Sequence, residues 1–192
     1  MRFQRTLRAC LGALIFIPLA AGLCAASPCD LLTKNEAEEI LGEEAAAPRQ
    51  SPVAGMAAGT QCLYMTAAQM AKRGSVGSLA IVVHDPVTMQ KKGKAFKDPA
   101  QFFAKSLKAK KGSHAKIEEI AGLGERAYWE PGADALHVLA QGFYLRLKVK
   151  DLAKMQAKNQ KELDAKLSAH RRALAEKAMR QYILPRLKTY KP

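Results

Sequence analysis

The chain contains few of the residues on which recognisable catalytic and metal sites depend. Of its 192 residues, four are cysteine, four are histidine and one is tryptophan, and only 6% are aromatic. No histidine lies in an H-E-x-x-H motif, no serine lies in a G-x-S-x-G turn, and no glycine-rich stretch forms a complete phosphate-binding loop. We therefore expect a non-enzymatic protein that holds no metal and no cofactor.

Only one long apolar run is present, over residues 9–23. Three arginines and no acidic residue precede this run, and the small residues of "LCAAS" follow it. The pattern is typical of a secretory signal peptide, so residues 1–26 are predicted to be removed by cleavage after about Ala26. The processed protein would then be periplasmic or secreted.

Two other forms of this leader would keep the protein on a membrane. A transmembrane anchor needs roughly 20 apolar residues, whereas this run is shorter and contains Pro18. A bacterial lipid anchor needs a small residue before the modified cysteine, but Leu23 precedes Cys24. We expect no transmembrane helix after cleavage, and retention of the leader as an anchor stays the alternative.

Cysteine is absent after position 62, and removal of the leader would leave only Cys29 and Cys62. Two thiols in an oxidising compartment usually form a disulfide, which here would tie the first helix to the first strand. The bridge would close a loop of 33 positions, for which chain entropy gives roughly 3–4 kcal/mol. A redox-active pair is the alternative, but the C-x-x-C spacing is missing and no neighbouring histidine would lower a thiol pKa.

Acidic residues are too few to balance the 31 lysines and arginines, which leaves a net charge of +14, and Asp98 is the only acid within residues 91–116. Such a field favours an anionic envelope lipid or polysaccharide, or an acidic protein. The low aromatic content and the excess of lysine over arginine argue against nucleic acid. The candidate contacts with an anionic partner are Lys91, Lys92, Lys94, Lys97, Lys105, Lys108, Lys110 and Lys111. The alternative is that these lysines only keep a small exported protein soluble.

Local signals in the first half predict two helices and two strands. In "TKNEAEEILG", Thr33 and Glu36 form a capping box and a glycine ends the helix. In "KDPAQFFAKSLKAKKG", Asp98 is the cap of a second helix. The segments "TQCLYMTA" and "SLAIVVHD" are predicted to be strands. Residues 43–59, rich in alanine, proline and glycine, are predicted to form a surface loop.

The second half predicts four short strands followed by a long helix. The strand segments "AKIEEI", "RAYWE", "ALHVLAQ" and "FYLRLKV" are separated by turn residues, as in an antiparallel meander. From about residue 151 to 184, a helical repeat of apolar residues predicts a basic helix that Pro185 ends. The order α-β-β-α-β-β-β-β-α predicts an α+β fold, with an antiparallel sheet of about five or six strands covered by helices. Residues 27–192 are predicted to form this single domain.

Several motifs resemble those of a group of small exported bacterial proteins of uncharacterised function, many of them lipoproteins. The motifs are the opening "CDLLTKNEAEEILG", the later "CLY", then "GLGERA" and a final helix that contains "ILPRL". The resemblance covers about residues 28–187 and implies a helix-covered sheet similar to the PsbP-like sandwich, with the two cysteines bridged. It implies no catalytic residues. The missing lipobox and the dense lysines distinguish this chain from the lipoprotein members.

Two functional hypotheses follow from the sequence. The leading hypothesis is an exported, non-enzymatic binding protein whose lysine-rich and C-terminal helices contact an anionic envelope component or an acidic partner. The alternative is a small-molecule carrier or an enzyme with a cleft near Tyr128, Trp129 and His137, where aromatic rings and a histidine fall close to a hairpin end. The other histidines are expected to be structural, because none has a convergent partner in the sequence.

Overall fold

The computed structural model describes residues 26–53, 58–66, 77–91, 96, 98–151 and 155–192. Its strands are β1 (Arg49–Val53), β2 (Gly59–Met65), β3 (Ser78–His84), β4 (Glu118–Glu119), β5 (Arg126–Glu130), β6 (Ala135–Ala140) and β7 (Phe143–Lys150). Its helices are α1 (Lys34–Leu41), α2 (Pro86–Lys91), α3 (Pro99–Gly112) and α4 (Gln160–Ala178). A π-helical turn (Met179–Ile183) and a last α-helical turn (Leu184–Leu187) continue α4 without a break, and the whole segment is called the C-terminal helix.

The strands form one antiparallel sheet in the order β1-β2-β3-β7-β6-β5-β4. The predicted α+β fold is confirmed, with seven strands in place of the predicted five or six. Strands β4 to β7 form the predicted meander, and β3 pairs with β7 to join this meander to the hairpins of β1, β2 and β3. In sequence, α2 and α3 lie between the two halves, and α3 packs against one face of the sheet.

The additional strand is β1, which lies within the predicted surface loop 43–59. Its residues pair with β2, from Arg49 opposite Leu63 to Val53 opposite Gly59. Four of its five side chains are exposed, and Pro52 has no backbone N–H to donate to a neighbouring strand. An edge strand of this kind shows no alternation of apolar and polar residues, because neither of its faces is buried. The prediction of a loop here was therefore wrong.

Helices α1 and α3 begin at the predicted caps. Thr33 accepts a hydrogen bond from the backbone N–H of Glu36, whose carboxylate accepts one from the backbone of Thr33 in return. Gly42 ends α1 with φ of 69°, in the left-handed region that glycine occupies without strain. The Asp98 carboxylate accepts from the backbone of Ala100 at the start of α3. Helix α2 was not predicted, and it is short.

The C-terminal helix differs from its predicted range of about 151–184 at both ends. It begins at Gln160, because Asn159 caps it by accepting from the backbone of Glu162. It also continues past Pro185, which lacks the N–H that an α-helix needs at that position. The preceding π-helical turn adjusts to this, since Leu184 donates to the carbonyl of Met179, five residues earlier.

The two faces of the sheet pack against different helices. On the first face, called the core face, Leu136, Leu145 and Leu147 are fully buried beneath α1 and the C-terminal helix. On the second face, called the α3 face, Tyr128 and Tyr144 contact α3. Among the residues that the structure describes, no helix is long and apolar enough to cross a membrane.

The predicted disulfide between Cys29 and Cys62 is confirmed. Their Cα atoms lie 5.2 Å apart, and Cys62 is fully buried in β2 on the core face. The bridge ties the 3-10 turn that precedes α1 to the sheet. The Tyr64 hydroxyl reinforces this junction by donating to the Leu32 carbonyl, and burial raises the pKa of Tyr64 to about 12.

Candidate functional site

A polar cavity of about 240 Å³ lies between α3 and the α3 face of the sheet. Helix α3 contributes Phe102, Ser106 and Lys110, which recur every four residues and therefore form one row along the helix. The neighbouring row, Phe103 and Leu107, is buried against the sheet and holds the helix in place. The sheet supplies the floor of the cavity from β3, β5, β6 and β7.

The rings of His84, His137 and Tyr144 line this floor, and the ring of Tyr128 stacks against it. The rings of Tyr128 and His137 are nearly parallel, with centroids 4.3 Å apart, because the two residues are directly opposite on β5 and β6. The ring of Tyr144 lies 5.9 Å from that of His137 and 5.1 Å from that of His84. Cross-strand ring pairs of this kind stabilise a sheet and restrict side-chain motion. The floor is therefore built of closely packed rings.

A chain of polar contacts runs through these rings. The Tyr144 hydroxyl lies 2.6 Å from Nδ1 of His137, and Nε2 of the same ring lies 3.3 Å from Oε2 of Glu130. The other oxygen of Glu130 lies 2.5 Å from Nζ of Lys110. Nε2 is shielded from solvent, and its contact with Glu130 lacks the alignment of a hydrogen bond. We assign the proton of His137 to Nε2, because Nδ1 accepts from a hydroxyl and Nε2 faces a carboxylate.

The environment fixes the protonation state of each group in this chain. Burial lowers the pKa of His137 and raises the pKa of Tyr144. Contact with His137, followed by that with Lys110, lowers the pKa of Glu130 to about 2. Near neutral pH, His137 is therefore uncharged, Tyr144 is protonated and Glu130 is ionised. The pKa of each group is thus displaced away from neutral pH.

His84 forms the wall of the cavity at the β3 end. Its Nδ1 donates to the carbonyl of Ala58 across 3.1 Å, and burial lowers the pKa of His84. The contact requires glycine at position 59, because a Cβ atom on Gly59 would lie 2.7 Å from this nitrogen. The imidazole is thus held in one orientation by the backbone of the neighbouring strand.

Arg146 is the unusual residue of the site. It lies on β7, opposite Val82 on one side and His137 on the other, and its side chain is half-buried. Its Nε is shielded from solvent and has no hydrogen-bond partner among the described residues. Among the described residues that line the cavity, Glu130 is the only acid, and it pairs with Lys110. Within the described part of the chain, the guanidinium of Arg146 therefore has no acidic partner.

The structure brings together two of the three predicted cleft residues. Tyr128 and His137 lie on the α3 face, whereas Trp129 points to the core face, where it is 1% exposed. Its Nε1 donates to the Ser168 hydroxyl at 3.2 Å, beside a separate cleft along α4. Successive side chains of a strand alternate between faces, so neighbouring Tyr128 and Trp129 cannot share one pocket. This corrects the predicted cleft.

Half of the predicted lysine contacts can be located. Lys92, Lys94, Lys97 and the side chain of Lys91 lie outside the described residues. Lys105 and Lys108 are exposed on α3, as predicted. Lys110 instead turns to Glu130 in the cavity, and Lys111 pairs with Glu119 at 2.6 Å. Two of the four located lysines are therefore already neutralised by acids of the same chain.

Three residues of β7 that the sequence analysis did not assign to a site share a recognisable pattern. In "FYLRLKV", Tyr144, Arg146 and Lys148 alternate with apolar residues and so share one strand face. Three polar residues on one face of a strand are ordinary at a sheet edge. They are unusual on β7, which lies in the middle of this sheet. That position, and hence the importance of Arg146, depended on the strand order.

Comparisons with known proteins add no relative. No protein-family model matches the chain, and neither a curated protein nor a solved structure matches it. The resemblance to small exported bacterial proteins therefore stays a prediction. In the ranges that the structure describes, no three or more histidine, cysteine or acidic side chains are grouped so as to hold a metal ion.

Proposed function

We propose that this chain is an exported, non-enzymatic binding protein that holds a small polar molecule in the cavity beneath α3. The observation that carries the proposal is a polar cavity lined by packed rings and built on the central strands of the sheet. Its volume of about 240 Å³ lies just below the range of roughly 300–1,000 Å³ that is typical of pockets for drug-sized ligands. The expected ligand is therefore smaller than a typical drug.

The fixed protonation states favour binding over catalysis. A general acid or base is most effective when its pKa lies near the working pH. Tyr144, His137 and Glu130 form a hydroxyl–imidazole–carboxylate chain, but the pKa of each is displaced away from neutral pH. The chain of contacts is therefore better suited to orienting a ligand than to exchanging protons with it.

The proposed export rests on two features of the chain. The first 26 residues have the pattern of a signal peptide. The disulfide between Cys29 and Cys62 is of the kind that persists in oxidising compartments. Mass spectrometry of the protein from its native location would test both features, by giving its first residue and its number of free thiols. An intact leader or two free thiols would contradict export in this form.

The binding site is tested by blocking the cavity. A panel of small carboxylates, phosphates, amines, sugars and neutral amides is screened for ligand-induced rises in Tm. Ser106→Phe places a large ring at the cavity wall, and Ala104→Phe adds the same ring to an exposed position of α3. We expect Ser106→Phe to abolish the response and Ala104→Phe to retain it. Equal responses in both variants, or no response in the unchanged protein, would contradict the proposed site.

A second candidate function is attachment to an anionic surface. Lys105 and Lys108 are exposed on α3 and have no acidic partner in the part of the chain that the structure describes. The C-terminal helix is less suited to this role, because most of its cations pair with acids of the chain. These pairs include Arg171 with Asp134, Arg172 with Glu118, Lys177 with Glu39 and Arg186 with Glu36.

Surface attachment has a distinct experimental signature. Retention on heparin or on vesicles with anionic lipid should fall steeply between low and moderate salt, because exposed charges are screened. Lys105→Glu combined with Lys108→Glu should abolish the retention and leave the Tm responses of the cavity unchanged. Retention that does not depend on salt, or that survives both substitutions, would count against this function.

A further inference from the structure

The charges that line the cavity do not balance. Its ionised side chains are Lys110, Glu130, Arg146 and Lys148, since its two histidines have lowered pKa values. Lys110 and Glu130 neutralise each other at 2.5 Å. Arg146 and Lys148 both belong to β7, and neither has an acidic partner in the described segments. The lining thus carries two positive charges that the described residues leave without a counter-ion.

The fold itself does not explain Arg146. An arginine side chain stays charged at any physiological pH, and a half-buried charge without a counter-ion costs free energy. At this position, between Val82 and His137 in the middle of the sheet, an uncharged side chain would avoid that cost. Its Nε–H is shielded from water and forms no hydrogen bond with any described residue. The residue is therefore placed as if for a partner from outside the chain.

The lining offers donors and few acceptors. The guanidinium of Arg146 has its N–H groups in a planar fork, and Lys148, two residues away on the same strand face, adds an ammonium at an exposed position. The Ser106 hydroxyl lies 3.4 Å from the Tyr128 hydroxyl and can act as a further donor. The carboxylate of Glu130, the strongest acceptor, is already occupied. Such a lining matches a ligand that is rich in acceptors.

We infer, on the basis of the proposed function, that the ligand of this cavity is a compact oxyanion whose oxygens pair with the guanidinium of Arg146. Carboxylate and phosphate groups both fit, because each presents two oxygens to the two parallel N–H groups of an arginine. The apolar wall formed by Phe102 and Ala135 would cover the remainder of a small organic acid. Sodium acetate and inorganic phosphate are the simplest probes of these two chemistries.

The test titrates each probe into ¹⁵N-labelled protein and follows the backbone amide resonances of β7, together with the Arg146 Nε–H resonance. Lys108→Met is the matched control, because it removes one positive charge from an exposed site on α3. We expect acetate or phosphate to bind the unchanged protein and Lys108→Met with equal Kd. Arg146→Met should weaken that binding about ten- to hundredfold, as expected for lost charge-assisted hydrogen bonds. Arg146→Lys, which keeps the charge but not the fork, should give an intermediate loss.

The outcomes separate this inference from the proposed function. Equal binding of the probes by Arg146→Met and the unchanged protein would overturn the inference, as would binding of neither probe to the unchanged protein. In both cases, a neutral molecule from the screening panel that Ser106→Phe excludes would leave the proposed function standing. If Ser106→Phe changes the Tm response to no molecule of the panel, both proposals fail together. Better binding of acetate or of phosphate distinguishes an organic acid from a phosphate as the ligand.

Discussion

Leu147 and Arg146 are neighbours on β7, yet they belong to two different parts of the molecule. Leu147 points to the core face, where it is fully buried under the C-terminal helix. Arg146 points to the α3 face, where its charge adjoins a polar cavity. On the core face, apolar side chains of the sheet meet apolar side chains of the helices. On the α3 face, rings and charges surround a space that nothing in the described chain fills.

The difference between the faces separates stability from binding within one sheet. Burial of apolar area is the main favourable contribution to folding, and the core face supplies most of it. The α3 face retains costly groups, namely buried His84 and His137 and the half-buried Arg146. A sheet with one well-packed face can carry such groups on the other. Substitutions on the two faces should therefore differ in kind.

The largest expected effect concerns Trp129, which the sequence placed in the cleft and the structure places on the core face. Trp129→Ala should lower the free energy of unfolding by about 3–5 kcal/mol, the usual cost of removing a large buried ring. Urea denaturation measures this loss. At temperatures where the variant stays folded, its ligand-induced Tm shifts should persist. Loss of those shifts without loss of stability would place Trp129 in the binding site and contradict the contrast between the faces.

The disulfide on the core face should have the next largest effect. Replacing Cys29 and Cys62 by serine should lower the free energy of unfolding by roughly 3 kcal/mol, because the unfolded chain gains the freedom of a 33-residue loop. Treatment of the unchanged protein with a reductant should give a similar loss. The cavity response should remain, since the bridge does not contact the α3 face. A loss below roughly 1 kcal/mol would show that the bridge is not a stabilising one.

The α3 face should make stability fall as the pH drops below about 6.5. Burial lowers the pKa of both His84 and His137, so the unfolded chain takes up protons near the ordinary pKa of 6.5 and the folded chain takes them up only at lower pH. Stability is therefore full well above pH 6.5 and decreases below it, by up to about 1.4 kcal/mol per pH unit for each histidine.

Substitutions separate the contribution of His137 from that of His84. The ring of His137 faces two tyrosines and three charged side chains, namely Tyr128, Tyr144, Glu130, Lys110 and Arg146. His137→Phe should flatten the dependence on pH in part. The control is His114→Asn, because His114 is exposed in a turn with φ of 56°, which asparagine tolerates. Denaturation midpoints at pH 7, 6 and 5 give the comparison. A profile that His137→Phe does not alter would argue against a buried neutral imidazole.

The ion pair between α1 and the C-terminal helix should respond only to stronger acid. Arg186 joins the C-terminal helix to α1 through two contacts with Glu36, at 2.5 and 2.7 Å. Its hydrogen bonds, with those of Thr33, lower the pKa of Glu36 to about 2. The stabilisation is thus present above the ordinary pKa of 4.5 and is lost as the pH falls through about 2.

Glu36→Gln measures this contribution. The substitution should cost about 1 kcal/mol at pH 6, a value reduced by the solvent exposure of Arg186, and close to nothing at pH 2. Urea denaturation at the two pH values gives the difference. An equal cost at both would show that packing of the side chain, and not its charge, provides the stabilisation.

The sequence predicted the elements that local chemistry determines. Thr33 and Asp98 cap their helices through their own side chains, and the strands of the meander are bounded by turn residues. Strand β1 could not be predicted in this way, because only its pairing with β2 makes it a strand. The start of the C-terminal helix at Gln160 was also missed, since the cap residue Asn159 lies inside a uniformly polar segment.

The site was predictable only in part for a related reason. Tyr128 and His137 were predicted as cleft residues, and they stack because β5 and β6 are neighbours in both sequence and sheet. Arg146 lies in the middle of the sheet only because β7 also pairs with β3, a strand that is distant in sequence. Local composition does not predict pairing between strands that are about 60 residues apart. The cavity therefore required the assembled sheet.

The stability of Arg146→Met without added anion tests most directly whether this arginine serves a ligand or the fold. We predict a free energy of unfolding equal to that of the unchanged protein or higher by up to about 1 kcal/mol, because a half-buried cation without a counter-ion is removed. Saturating acetate or phosphate should then stabilise the unchanged protein and not the variant. A loss of about 2 kcal/mol or more in anion-free buffer, as expected for Leu147→Ala, would show that Arg146 supports the fold and would contradict its role in binding.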